Sequence, residues 1–151
     1  FMKVSPPLRK EDDRKALIKG IKDGYIDVIV SDHKPEDEES KRLPFAQAAE
    51  GSIGIETLLS LALELYHNQS LPLKKIIETI TCNPARILKI NKGNLKKGSD
   101  ADLCIFDLNE PWKVDVSKLK SKSKNAAIEN RKLQGKVLMT YLKGESVFNL
   151  Q

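Results

Sequence analysis

The residues best placed to do chemistry are Ser31, Asp32 and His33, which directly follow a short apolar run at residues 26–30. This β-branched run is typical of a strand buried on both faces of a parallel sheet. In parallel α/β sheets and barrels, active sites lie at the C-terminal ends of the strands. Asp32 is therefore a candidate metal ligand or general base, and a helix-capping or turn aspartate explains its position equally well. In an extended chain His33 points away from Asp32, which favours a packing or supporting role over metal ligation.

Other sequence motifs indicate which kinds of catalytic site this chain does not contain by itself. A zinc site needs three or four ligands, and the two histidines, His33 and His67, have neither H-x-H nor H-E-x-x-H spacing. His67 ends an apolar helix, where a solvent-exposed position is the simplest interpretation. The sequence has no G-x-S-x-G elbow and no phosphate-binding glycine loop, which disfavours serine hydrolases and nucleotide-binding proteins. The residues by themselves thus indicate an α/β fragment with an isolated aspartate at a strand end.

Helical patterns before residue 90 and strand patterns after it must position these residues. The apolar spacing predicts helices over about 11–23, 53–66, 71–80 and 85–88, with Gly24 as the first stop and Asn83-Pro84 as a break. The polar stretch 34–50 reads as a long loop, a feature that is often functional. Strands are predicted at 102–107 and 112–115, and a hairpin at 135–142 and 145–148 around Lys143-Gly144. The helix at 53–66 is apolar enough to pack on two sides.

Composition argues against two classes of partner. The chain is 40% apolar and 31% charged, as in ordinary globular proteins. No apolar run reaches the roughly 18 residues that a membrane span requires. The net charge is +5, but most basic residues alternate with acids, and the lysine-rich stretch 118–124 contains no aromatic residue for base stacking. We therefore expect no membrane and no nucleic-acid partner.

Several segments together resemble the C-terminal portion of class I dihydroorotases, members of the amidohydrolase superfamily, and the similarity extends over essentially the whole chain. The matching segments are Lys3-Val4-Ser5-Pro6-Pro7-Leu8-Arg9, Ser31-Asp32-His33, Glu50-Gly51-Ser52-Ile53-Gly54-Ile55-Glu56-Thr57, Asn83-Pro84-Ala85-Arg86, Lys96-Lys97-Gly98-Ser99-Asp100-Ala101-Asp102-Leu103 and Ser121-Lys122-Ser123-Lys124-Asn125. The resemblance implies an α/β fold: residues 1–89 as the last strands and helices of a TIM-like (β/α)8 metal-dependent hydrolase barrel, and residues 90–151 as part of a small β-sandwich.

The resemblance also implies a reaction. Dihydroorotases hold one or two zinc ions and interconvert dihydroorotate and N-carbamoyl-L-aspartate in pyrimidine biosynthesis. Asp32 matches the family's strand-end aspartate, which touches the metal and moves a proton from the attacking water to the leaving nitrogen. Most of the other zinc ligands would lie outside this chain, so that the chain by itself is expected to be inactive.

Two positions depart from the family pattern. Ser5 stands where an asparagine commonly contacts substrate, and Glu36 stands where a histidine helps to hold the substrate carboxylate. An ionised glutamate cannot donate to a carboxylate and repels it. Glu50 and Gly51 fall where the family's loop backbone touches substrate, although an aromatic or apolar residue usually precedes the glycine.

These departures leave a second hypothesis open, a non-catalytic dihydroorotase-like scaffold partner of aspartate transcarbamoylase. Retention of Asp32 favours the enzyme. In either case the resemblance implies a cytoplasmic protein whose N-terminal half is absent here. Barrel elements without their neighbours should expose apolar faces, so we expect pairing with that absent half or homo-oligomerisation.

Overall fold

The computed structural model describes residues 2–150 and shows helices followed by a small antiparallel sheet. The elements are α1 (Glu11–Asp23), α2 (Glu38–Arg42), α3 (Leu58–His67), α4 (Leu73–Ile80), α5 (Cys82–Ile87), β1 (Leu103–Lys113), a short 3-10 helix (Val116–Lys118), β2 (Lys132–Leu142) and β3 (Glu145–Asn149). None of the helices in this described part is long and apolar enough to cross a membrane. The α/β class predicted from the sequence is therefore present.

The helical part has its core between α1, α3 and α4. Ile21, Ala62, Leu71 and Ile76 are buried there, and four isoleucines and one leucine pack around them. Helix α1 begins with three acidic residues that complement the helix dipole, and it ends at Gly24 in the left-handed conformation (φ 84°), as the sequence predicts.

The predicted strand at residues 26–30 is not formed. This segment has no regular secondary structure, and Val30 is 70% exposed rather than buried. A strand requires a ladder partner, and within residues 2–150 the nearest parallel pairing is a single bridge between His33 and Ser52. The segment is instead attached to α4 by a hydrogen bond from the Ile29 N–H to the Thr79 carbonyl (3.1 Å).

The helices also differ from those expected, by one additional helix and by several changed boundaries. The loop at 34–50 contains α2, whose first turn is capped by the Asp37 carboxylate accepting from the Ser40 N–H (2.7 Å). Helix α3 begins at Leu58 instead of residue 53, and the Ile53 N–H donates to the Asn125 carbonyl (3.3 Å). Pro84 lies inside α5, in the first turn, where a missing N–H costs no helical bond.

The sheet has the order β1-β2-β3, and both pairings are antiparallel. Lys143 and Gly144 join β2 and β3 with positive φ at both residues, which confirms the predicted hairpin. The two strands predicted at 102–107 and 112–115 are one strand, β1, with a register shift between Asp107 and Pro111. A proline cannot donate to the ladder, which explains why the irregularity occurs there.

Helix α3 packs against α4 on one side and β2 on the other, as its apolar composition predicts. The Ser60 hydroxyl donates to the Gly135 carbonyl (2.5 Å), and the Trp112 indole N–H lies 3.1 Å from the same oxygen. His67 is not simply solvent-exposed, because its Nε2 atom lies 3.1 Å from the Leu108 carbonyl. These contacts fix the helices against the sheet.

Candidate active site

Asp32 lies at the turn between the irregular segment and the acidic loop. Its side chain is exposed, and its backbone adopts a left-handed conformation (φ 42°), which aspartate tolerates better than most residues. The His33 Nδ1 atom accepts from the Gly54 N–H (3.1 Å) and lies 3.4 Å from the Ile55 nitrogen. With Nδ1 accepting, the neutral ring carries its proton on Nε2. His33 therefore secures the backbone beside Asp32.

Gly51 is buried where two segments meet. Its N–H donates to the Lys3 carbonyl (3.0 Å), and its φ of 134° is a conformation that side chains rarely adopt. A Cβ atom on Gly51 would lie only 2.8 Å from the Lys34 Cδ atom. The missing side chain thus lets the methylene stem of Lys34 cross directly over the Gly51 backbone.

Lys34 places a positive charge between two of the predicted site residues. Its Nζ atom lies 3.8 Å from a carboxylate oxygen of Glu36 and 3.8 Å from one of Glu50. The negative charge of Glu36, which looked unfavourable for binding a carboxylate, is therefore partly balanced. Sequence reasoning missed Lys34. The signal available was the i, i+2 spacing of Lys34 and Glu36, which in an extended chain places two side chains on one face.

Lys41 is a second lysine that was not predicted from the sequence as a site residue, and only 5% of its surface is exposed. Its ammonium donates to the carbonyls of Lys3 (2.8 Å), Ala49 (2.9 Å) and Gly51 (2.8 Å). Burial holds the pKa of Lys41 below its usual value, an effect that Glu36 partly offsets.

Asn125 ties the acidic loop to the end of the Ser-Lys-Ser-Lys-Asn motif and is 1% exposed. Its Nδ2 atom donates to the carbonyls of Lys34 (3.2 Å) and Gly51 (3.4 Å), and its Oδ1 atom accepts from the Glu36 N–H (3.3 Å). The Ser123 hydroxyl contacts Asn125 Oδ1 (2.8 Å) and the Glu36 carbonyl. The motif thus fixes the loop backbone through its last residue.

The structure brings three of the five predicted site residues into one cluster. Glu36, Glu50 and Gly51 meet around Lys34. Ser5 is exposed two residues beyond Lys3, whose carbonyl contacts Gly51. Within residues 2–150, neither Ser5 nor Asp32 takes part in the ion pairs that join the cluster.

The donor set can be tested against a metal ion. In the part of the chain that the structure describes, no three His, Cys, Asp or Glu side chains lie close enough together to hold one. Asp32 offers one exposed carboxylate, a ligand type that zinc accepts. The described residues therefore fit a zinc site only as contributors of a single ligand.

Comparison with known proteins agrees with this architecture. The family model described as the amidohydrolase family matches residues 4–147, so the chain belongs to that family. A dihydroorotase of Ehrlichia chaffeensis is 48% identical over 149 residues, which are 99% of this chain and 33% of that protein. A dihydroorotase of Aquifex aeolicus is 45% identical over 146 residues, which are 97% of this chain and 34% of that protein.

Solved structures of hydantoinases and dihydropyrimidinases are also similar to this chain. The L-hydantoinase (dihydropyrimidinase) of Arthrobacter aurescens is 33% identical with a TM-score of 0.91, over 99% of this chain and 34% of that one. The dihydropyrimidinase of Brevibacillus agri also has a TM-score of 0.91, over 98% of this chain and 34% of that one, and at 23% identity it shows the shared fold alone. The chain spans about a third of the length of the curated relatives it matches.

Proposed function

We propose that the intact protein is a dihydroorotase, which hydrolyses the cyclic amide of dihydroorotate reversibly to N-carbamoyl-L-aspartate in pyrimidine biosynthesis. The observation that carries this proposal is the similarity of nearly the whole chain to dihydroorotases from distant bacteria, at a higher identity than to the L-hydantoinase. Both enzyme types act on cyclic amides, so the identity, rather than the fold, favours dihydroorotate as the substrate.

In this proposal the chain supplies the C-terminal portion of the enzyme. Residues 1–89 belong to the last strands and helices of the TIM-like barrel, and residues 90–151 belong to the small β-sandwich. The open segment at 26–30 then has the role predicted from its sequence: its ladder partners come from barrel strands outside this chain. The exposure of Val30 supports that arrangement, since an apolar side chain at such a position requires a covering layer.

Asp32 is the proposed catalytic residue. Its carboxylate accepts a proton from the attacking water and delivers it to the ring nitrogen that leaves as the amide opens. Its exposed position and left-handed backbone, at the end of an apolar segment, suit a group that must face substrate. A zinc ion, held by Asp32 and by ligands outside this chain, would polarise the amide carbonyl as a Lewis acid.

Ser5, Glu36, Glu50 and Gly51 are the proposed substrate contacts. Dihydroorotate carries a carboxylate, which Glu36 alone would repel. Lys34 supports the proposal because its ammonium lies against Glu36 and Glu50 and lowers the net negative charge of the cluster.

The proposed setting is the cytoplasm, with the enzyme as a homo-oligomer. Aspartate transcarbamoylase is the partner to be considered if the protein proves non-catalytic, because Ser5 and Glu36 depart from the family pattern.

The test is a zinc-supplemented dihydroorotate hydrolysis assay on the full-length protein, with hydantoin and dihydrouracil as competing substrates. We expect Asp32→Asn to reduce kcat by roughly 10²- to 10⁴-fold, the usual contribution of a general acid–base. Asp12→Asn, an exposed change on α1, is the control and should leave kcat unchanged. A folded, zinc-loaded wild type that does not hydrolyse dihydroorotate would overturn the proposal. Activity on hydantoin or dihydrouracil would then assign a different cyclic amidase, whereas inactivity on all three together with capture of aspartate transcarbamoylase would establish the scaffold.

A further inference from the structure

Lys41 differs from the other charged residues around it because its charge is buried and, among residues 2–150, forms no ion pair with a carboxylate. It lies in the one-turn helix α2 between Ser40 and Arg42, and Arg42 is exposed and paired with Glu38. Lys41 instead points into the protein and is almost inaccessible to solvent. Burying an ammonium costs free energy unless its donors are satisfied, so the hydrogen bonds of Lys41 must offset that cost.

The three acceptors of Lys41 explain what it holds. Two of them, the Ala49 and Gly51 carbonyls, lie on either side of Glu50, so the backbone is secured before and after that residue. The third is the Lys3 carbonyl, which also accepts from the Gly51 N–H (3.0 Å). An ammonium has three donors and no acceptor, and here each donor meets one carbonyl.

The charge of Lys41 has a further effect on the cluster. Burial is the largest cause of the lowered pKa of Lys41; Glu36 and Glu50 raise this pKa through space, and Lys3 and Lys34 lower it. A neutral side chain of the same length would remove the Lys41 donor from all three carbonyls. The Lys3 and Gly51 carbonyls would keep the Gly51 N–H and Asn125 as donors, but the Ala49 carbonyl would lose the donor that the structure gives it. The change would also remove one positive charge from beside the two glutamates.

We propose that Lys41 is a positioning residue for substrate binding, which fixes Glu50 and Gly51 against the N-terminal segment that leads to Ser5. The inference rests on the proposed function, in which these residues contact the substrate. Lys41 itself touches neither substrate nor metal. Its three hydrogen bonds set the distance between the two backbone segments, so their loss should weaken binding more than the chemical step.

The experiment compares Lys41→Met with wild type in the full-length protein. Methionine keeps an unbranched stem and removes all three donors. We expect KM for dihydroorotate to rise about tenfold while kcat stays within about threefold. This is the pattern expected when the lost interaction stabilises bound substrate and transition state equally. Arg42→Met removes the neighbouring exposed cation and should change neither constant. Lys41→Arg, which keeps the charge and several donors, should recover part of the loss in KM.

Amide hydrogen exchange supplies a measurement that does not depend on activity. In the Lys41→Met protein, exchange at the Gly51 amide should be at least about tenfold faster than in wild type, because its bond to Lys3 loses its support. Wild-type exchange at Gly51, or an unchanged KM in a folded Lys41→Met protein, would overturn the inference. If methionine prevents folding, the same two measurements on Lys41→Arg decide it: a raised KM with faster exchange at Gly51 supports the inference, and wild-type values of both overturn it. An inactive wild type would contradict the proposed function, whereas hydrogen exchange at the Gly51 amide would still decide whether Lys41 holds the backbone around Glu50.

Discussion

Replacing Asn125 by alanine tests whether a residue near the sheet holds the acidic loop in place. In sequence Asn125 lies 89 positions from Glu36 and 91 from Lys34, yet its side chain binds the backbone of both. Alanine removes these bonds and leaves the Glu36 N–H and the Lys34 carbonyl without the partner that the structure gives them. The third group, the Gly51 carbonyl, keeps its hydrogen bond from Lys41 (2.8 Å).

The expected loss of stability follows from the Glu36 N–H and the Lys34 carbonyl. An unsatisfied buried backbone group costs roughly 1–3 kcal/mol. Lys34 is exposed and Glu36 half-buried, so water can replace part of each lost bond. The local opening free energy should therefore fall by about 2–4 kcal/mol, toward the lower end of the sum. At about 1.4 kcal/mol per tenfold, this corresponds to exchange at the Glu36 amide that is roughly 30- to 700-fold faster.

The assay is native-state hydrogen exchange on the full-length protein, followed by mass spectrometry of the fragment that contains Glu36. Asn109→Ala is the matched control, because Asn109 is exposed in β1 and its side chain can be removed without disturbing the loop. Exchange at Glu36 within about threefold of wild type in a folded Asn125→Ala protein would refute the reasoning, since it would show that the loop holds its conformation without Asn125.

Two further predictions concern the same loop. Gly51→Ala should destabilise the protein and raise KM, because its Cβ would lie 2.8 Å from Lys34 Cδ. The control is Gly98→Ala, also at positive φ (87°) but with nothing within 4 Å, which should show only the backbone strain of roughly 1–3 kcal/mol. Equal losses of stability in thermal denaturation of the two variants would contradict the clash at Gly51. Burial lowers the pKa of Lys41 and Glu36 partly restores it, so the unfolded chain binds the proton more tightly and stability should rise with pH between the folded and unfolded pKa values. This rise should be absent from Lys41→Met when melting temperatures are compared at about pH 8 and about pH 10, and a fall in the wild type relative to the variant would reverse the assigned sign.

Local rules in the sequence were sufficient for several elements. Gly24 ends α1 because glycine adopts the left-handed conformation that a helix stop needs, and Lys143-Gly144 forms the turn between β2 and β3 for the same reason. The apolar excess of α3 correctly indicated contacts on two sides. The position of Asp32 after an apolar segment is also readable from the sequence, although its catalytic role stays a prediction.

Other features depended on groups distant along the chain. Residues 26–30 have the composition of a strand, but strand formation depends on partners that the described residues do not supply. Lys41 lies in a stretch of charged residues that is typical of an exposed helix, and its burial is decided by three carbonyls, one of them 38 positions away. Asn125 has no local pattern that indicates its contacts with the loop.

The difference has one physical origin. Helix stops and hairpin turns are set by backbone torsions within a few residues, so the sequence alone determines them. The cluster of Glu36, Glu50, Gly51 and Lys34 is set by hydrogen bonds and charges that act through space, and only the tertiary structure brings these groups within reach of one another.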